Sequence, residues 1–194
     1  AQFKQMTLLT GGDVARHATH VKLQQAGAKA DLHSAILGRA VSHNDVTYTI
    51  EHQAADTHSH TTSHQALADA ARGVFQGKVI VQRDAQRVDA QMQARAMMLS
   101  SEAEINAKPE LEIYADDVAC AHGTAIGEID ADALFFLRAR GIDEASARQL
   151  LITGFVEQLL THCDDKALAD VLRRHIEQKI SALTLTKLEA DHAV

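Results

Sequence analysis

The sequence predicts a mainly β fold with a helical segment at its C-terminal end, and three observations carry that reading. Up to about Ile129 apolar residues alternate with polar ones in short stretches, the period-2 pattern of half-buried strands. Asn-Gly and Asp-Gly, the strongest two-residue hairpin signals, are absent, which argues against a simple meander. After Asp130 the apolar spacing changes to the helical period. Many short strands with few hairpin turns suggest winding in one direction, a solenoid or parallel β-helix; a sandwich or jelly roll is the alternative.

Each element rests on its own residues. Val46, Tyr48 and Ile50 alternate with Thr47, Thr49 and Glu51, and Leu111, Ile113 and Ala115 with Glu110, Glu112 and Tyr114. Further strands are expected at 21–24, 30–37, 74–81, 88–99 and 118–126. The segments 65–71 and 90–98 are also compatible with helix, being rich in Ala, Gln and Met. Asp130 or Asp132 can cap a first helix that carries Leu134, Phe135 and Leu137 and stops at Gly141. A second helix is expected over 143–161, with rows at Leu151, Phe155, Leu159 and Ile152, Val156, Leu160. A third starts near Asp164 or Asp165 and carries Leu168, Leu172, Ile176 and Ile180. The expected division is a β core over 1–129 and a helical domain over 130–194, with more apolar helix face than so short a tail needs.

Composition removes several function classes. Of the 194 residues, 46% are hydrophobic and 23% charged, with one Pro and 10 Gly, as in ordinary globular chains rather than disordered ones. Nineteen basic side chains against 26 acidic ones leave a net charge of −7, without a long basic run, so neither nucleic acid nor an anionic membrane is an expected partner. No stretch approaches a membrane span, and the opening AQFKQMTLLTGG is not a secretory signal. Two cysteines, Cys120 and Cys163, cannot build a disulfide framework and suit a reducing, cytoplasmic compartment.

The candidate chemistry is sparse. Gly73 to Val79 has the look of a phosphate loop, but only three residues separate its glycines and no Ser or Thr follows Lys78; a turn leading into a strand explains it better. Histidines 52, 58, 60 and 64 share even parity, so one unbroken strand would set four imidazoles on one face, where a metal could bind; a strand of that length is not expected. Glu110 and Glu112, with Asp116 and Asp117 close by, could form an acid–base pair of a β-solenoid hydrolase or lyase, but the wet face of a strand is the plainer account of them. Cys120 and His122 stand i, i+2, which on a strand puts thiol and imidazole on one face about 6.5 to 7 Å apart at Cα. Each can bind iron or zinc, but two ligands are not four, and such a site must borrow the rest from another chain or from sulfide; on spacing alone, a buried Cys beside an incidental His is the plainer reading.

The stretches GVFQGKVIV (73–81), AQRVDAQMQARAMMLS (85–100), AKPELEIYADDVACAHGTAIGEID (107–130) and ALFFLRARGI (133–142) together resemble the C-terminal portion of the SufB/SufD family of iron–sulfur cluster assembly proteins. Weaker similarity runs through GAKADLHSAILG, NDVTYTIEHQ, HTTSHQ and ARQLLITGF, and CAHGTAIG is similar to the SufD branch. The resemblance implies a right-handed parallel β-helix followed by a C-terminal helical domain. It implies a non-catalytic scaffold in a complex with SufB and two copies of the SufC ATPase. The last core strands would pair with SufB, with Cys120 and His122 at that interface as transient ligands of iron or a nascent cluster, and no cofactor tightly held by the isolated chain. Leu134, Phe135, Leu137, Arg138, Arg140, Leu151 and Phe155 would face SufC. Without SufB, the exposed terminal strand edges invite a homodimer. The link between HTTSHQ and ARGVFQG is shorter here than the family usually carries.

Overall fold

The computed structural model describes residues 1–190, with residues 182 and 184–190 as backbone only. Nine strands follow one another: β1 (Gln2–Leu9), β2 (Val14–Leu23), β3 (Lys29–Gly38), β4 (His43–His52), β5 (His58–Leu67), β6 (Arg72–Val81), β7 (Val88–Met98), β8 (Glu104–Ile113) and β9 (Val118–Glu128). Three helices follow among the described residues: α1 (Ala131–Arg138), α2 (Glu144–Glu157) and α3 (Lys166–Ala190), with a 3₁₀ turn at Gln158–His162 between the last two.

Every strand pairing among the described residues is parallel. The odd strands form one sheet in the order β1-β3-β5-β7-β9, and the even strands a second in the order β2-β4-β6-β8. The chain therefore winds from one sheet to the other and back, a β-solenoid of about four turns. Register partners stand 29 residues apart in three successive pairs, Val14 with His43, Lys29 with His58 and His43 with Arg72. The short link at 68–71 matches the link at 39–42, so the coil passes through it in regular register. Left-handed residues turn the corners: Gly27, Asp56 and Arg87 at one edge, Ala40 and Asp69 at the other. Arg87 donates two hydrogen bonds to the Asp56 carboxylate, at 2.6 and 2.7 Å, tying one corner to the next.

Alternation decides what the solenoid encloses. Ala30, Leu32 and Ile36 of β3, Val46, Tyr48 and Ile50 of β4, Phe75 and Val79 of β6 and Ala90 and Met92 of β7 point inward and form the main core. The opposite side of the odd-strand sheet is solvated only in part: Asp89, Gln91 and Gln93 of β7 are exposed, whereas the stretch nearer the helices is covered. Ala35, Leu37 and Ala66 there pack against Ile152, Val156, Leu159, Leu160, Ile176 and Ile180 of the helices, giving a second core. The helical segment thus has its apolar stripe satisfied by the sheet. Asp130 caps α1 by accepting from the N–H groups of Asp132 and Ala133, and Asp143 caps α2 by accepting from Ser146.

Several expectations are corrected. The segment 90–98 and the first part of 65–71 are strand, and the whole run 73–79 lies inside β6 rather than in a turn. Strands β1, β5 and the first half of β2 carry too little apolar alternation to be read. Their inward residues include Gln5, Thr7, His17 and Thr19, which hydrogen-bond among themselves, and Ser59, Thr61 and Ser63. The second helix gives way to the 3₁₀ turn after Glu157.

Candidate functional site

Among the described residues, strand β9 is the last of its sheet and pairs only with β7, Ala90 opposite Cys120 and Met92 opposite His122. Its other edge presents unpaired backbone N–H and C=O groups. Cys120 packs against the solenoid core, and His122, two residues on, projects from the same face of the strand. The even-strand sheet ends one strand earlier at β8, so this face is covered less and less along β9. Cys120 is half-buried, whereas every residue from Ala121 to Glu128 is exposed. Ile126, 47% exposed, is an apolar side chain left on that free end.

Burial pushes the Cys120 thiol up in pKa, against a backbone hydrogen bond at Ala90 that draws it down, and Asp89 adds to the rise. At neutral pH the resting group is a thiol, and a bound metal ion would be needed to draw off its proton. On the outward side of the sheet, the stretch 121–123 lines a shallow groove with His60, Gln91, Met92 and Gln93.

The helical residues divide. Leu134, Leu137 and Leu151 are half-buried, while Phe135 is 73% exposed. Arg138 pairs with Glu144 at 3.2 Å. Arg140 lies over the Phe136 ring at 3.3 Å and donates to the Phe136 carbonyl at 3.0 Å. Phe155 faces the sheet, stacked on His64. Sequence reasoning passed over Phe136, exposed beside Phe135 on α1, and Leu150, exposed on α2; the adjacent aromatic pair at 135–136 is the signal that could have marked the first.

The four even-parity histidines do not share a face. His52 ends β4 and points inward, bonded through its two ring nitrogens to Thr57 at 2.8 Å and Ser59 at 2.9 Å. His58, His60 and His64 belong to β5 and point outward; His58 is exposed, while His60 and His64 meet the helical segment. The break falls at residues 53–57, where the chain turns from one sheet to the other. His60 instead meets His33 of β3 and His162 of the 3₁₀ turn, with ring nitrogens of all three within 4.8 Å of one another. A coil length of 29 residues would have set His33 beside position 62, diagonal to His60; without it, neither partner was legible.

The carboxylates are tied up by lysines. Glu110 pairs with Lys108 at 2.7 Å and Glu112 with Lys78 at 2.6 Å, on the outer face of the even-strand sheet. The Lys108 hydrogen bond holds Glu110 below the usual carboxylate pKa, the opposite of what a general acid requires.

Comparison with known proteins decides the family. A family model described as SUF system FeS cluster assembly, SufBD core domain, matches residues 1–155, from β1 to near the end of α2. The chain belongs to the SufBD family. It is 35% identical to an iron–sulfur cluster assembly SufBD family protein of Synechocystis over 95% of its length, covering 40% of that protein. It is 32% identical to the iron–sulfur cluster assembly protein SufD of Escherichia coli over 90% of its length, covering 41% of SufD. The chloroplastic protein ABCI7 of Arabidopsis thaliana is 32% identical over 91% of the chain, which covers 38% of it. The chain thus spans about two fifths of the curated relatives it matches. The SufBD core match includes β9 with Cys120 and His122, and α1 with its exposed aromatic pair. Among the described residues, no helix is long and apolar enough to cross a membrane.

Proposed function

We propose that this SufBD protein acts as a SufD-like, non-catalytic scaffold in iron–sulfur cluster assembly, pairing with SufB along β9 and docking the SufC ATPase through its helices. The observation that carries the reading is the end of the solenoid: a free strand edge that bears a thiol and an imidazole on one face, flanked by exposed backbone. A parallel or antiparallel strand from a second β-helix would satisfy that edge by main-chain hydrogen bonds. It would also bring the remaining ligands that two side chains cannot supply.

In this reading iron or a nascent cluster is cargo. His122, solvent-exposed, is the first ligand; Cys120 assists, its raised pKa keeping the thiol protonated until a metal ion lowers it. The isolated chain holds little cluster, because its ligand set is incomplete. Phe135 and Phe136 on α1 offer SufC an exposed aromatic surface, rimmed by Arg138 and Arg140. A SufC movement driven by ATP would be passed through α1 to β9, which ends two residues before that helix.

The test is co-expression with SufB and SufC homologues under anaerobic conditions and measurement of cluster content. His122→Ala is expected to lower cluster content with the complex still assembled. Full cluster content in that variant would remove His122 from the mechanism.

A further inference from the structure

We propose that His33, His60 and His162 form a binding site for one divalent transition-metal ion of borderline softness, of the zinc or cobalt type, at the seam between solenoid and helices. The three come from separate parts of the chain. His33 and His60 are diagonal neighbours on β3 and β5, since Asp31 is the register partner of His60. His162 is brought over them by the 3₁₀ turn, whose Leu159 and Leu160 are anchored in the second core.

The geometry is that of an ion site before the ion. Ring nitrogens of all three lie within 4.8 Å of one another. Three nitrogens bound to a tetrahedral ion at about 2.0 to 2.1 Å would stand about 3.3 to 3.4 Å apart, so a modest contraction closes the set. At present the His33 and His162 rings stack, 4.2 Å between centroids and 3° between planes, with His60 edge-on to both. Stacked imidazoles cannot aim their in-plane lone pairs at one point, so binding requires one ring to turn. His162, half-buried on a short 3₁₀ segment, is the one free to do so.

An independent observation points to a ligand. His33 is 2% exposed, and its Nδ1 is buried without a hydrogen-bond partner. A buried polar nitrogen is normally satisfied; an ion coordinated through Nδ1 would satisfy it. The electrostatics agree: burial pushes the His33 pKa down to about 3 and also lowers that of His162, keeping both imidazoles neutral as metal binding requires. Asp31, acting on His162, and Lys4, paired with Asp164, set the charge at the rim. His60 opens onto the groove that leads toward β9, which gives an ion a route in. Three protein nitrogens leave a fourth position for water or an outside ligand.

The experiment is calorimetric titration of the untagged chain with zinc chloride, followed by X-ray absorption of the loaded protein at the zinc edge. One ion per chain is expected, with an imidazole-nitrogen shell and no sulfur. His60→Ala and His162→Ala are each expected to weaken binding at least about tenfold, and the double variant Cys120→Ser/His122→Ala to bind as the parent does. No binding by the parent chain, sulfur in the shell, loss of binding in the Cys120/His122 double variant, or undiminished binding in the folded His60 and His162 variants would each overturn the site. If either alanine variant loses its native circular dichroism, the shell measured on the parent protein decides.

Discussion

His64 and Phe155 hold the helices to the solenoid: their rings stack at 4.9 Å with 16° between planes, and His64 Nδ1 donates to the Phe155 carbonyl at 2.9 Å. The bond joins the outer face of β5 to α2 across 91 residues of sequence. His64→Ala removes both stack and donor and leaves the carbonyl facing an apolar gap. The expected cost is about 2 to 4 kcal/mol, read as a lower urea midpoint. Limited proteolysis should cut first in α2 and α3, while the solenoid stays intact.

Acid should destabilise the fold through buried histidines. Burial depresses the pKa of His52 and of His64 to about 4 each, with His58 adding to the effect at His52 and Arg95 and His162 at His64. In the unfolded chain both titrate near 6.5. Between about pH 6.5 and 4 the unfolded state therefore binds more protons than the folded one. Stability is fully present above that window and falls as pH drops through it. Each pH unit across the window is worth about 1.4 kcal/mol per histidine at most. His52→Gln should flatten the profile of unfolding free energy between pH 7 and pH 4; an unchanged slope would remove His52 from the effect.

What was legible in the sequence follows from which residues line the solenoid. Where the inward face is apolar, as at Val46, Tyr48 and Ile50 of β4, alternation announces the strand. Where the interior is built of hydroxyls and amides, as in β5, the same geometry leaves no hydropathy signal. The outward side of β5 misleads further, because His64 and Ala66 are covered by helices rather than by water. The caps Asp130 and Asp143 were readable since capping is local chemistry. Cys120 and His122 were readable as a same-face pair because two residues on one strand need no knowledge of the coil. The triad of His33, His60 and His162 was not, since it depends on the coil length and on where α2 docks.

Glycines within β6 mark the tightest part of the interior. A Cβ at Gly73 would collide with Gln65 Oε1 and lie 2.8 Å from Leu67 Cδ1; one at Gly77 would collide with Met92 Sδ and lie 2.9 Å from Phe75 Cζ. Gly77→Ala forces Met92 and Phe75 apart in a filled core and is expected to cost about 1 to 3 kcal/mol. Gly123, on β9, has nothing within 4 Å of its Cβ position. Gly123→Ala should leave the unfolding midpoint of the isolated chain within experimental error, so comparing the two variants by thermal unfolding separates core glycines from edge ones.

The free edge of β9 gives the sharpest test of the proposed pairing. Ile126 projects from the same face as Cys120 and His122, is 47% exposed, and stands near the end of the strand, where the solenoid has no further coil to cover it. An apolar side chain so exposed adds little to the isolated fold, but it would be buried once a second β-helix extended the sheet. Ile126→Glu should therefore unfold at the same temperature as the parent chain yet weaken association with SufB. A buried, unpaired carboxylate at such a contact costs about 2 kcal/mol or more, so the dissociation constant should rise at least about thirtyfold. Gel filtration of the mixed chains would show the complex lost while the variant alone elutes as before. If the variant pairs as tightly as the parent, β9 is not the mating edge, and Cys120 and His122 lose the neighbour that the proposed role requires.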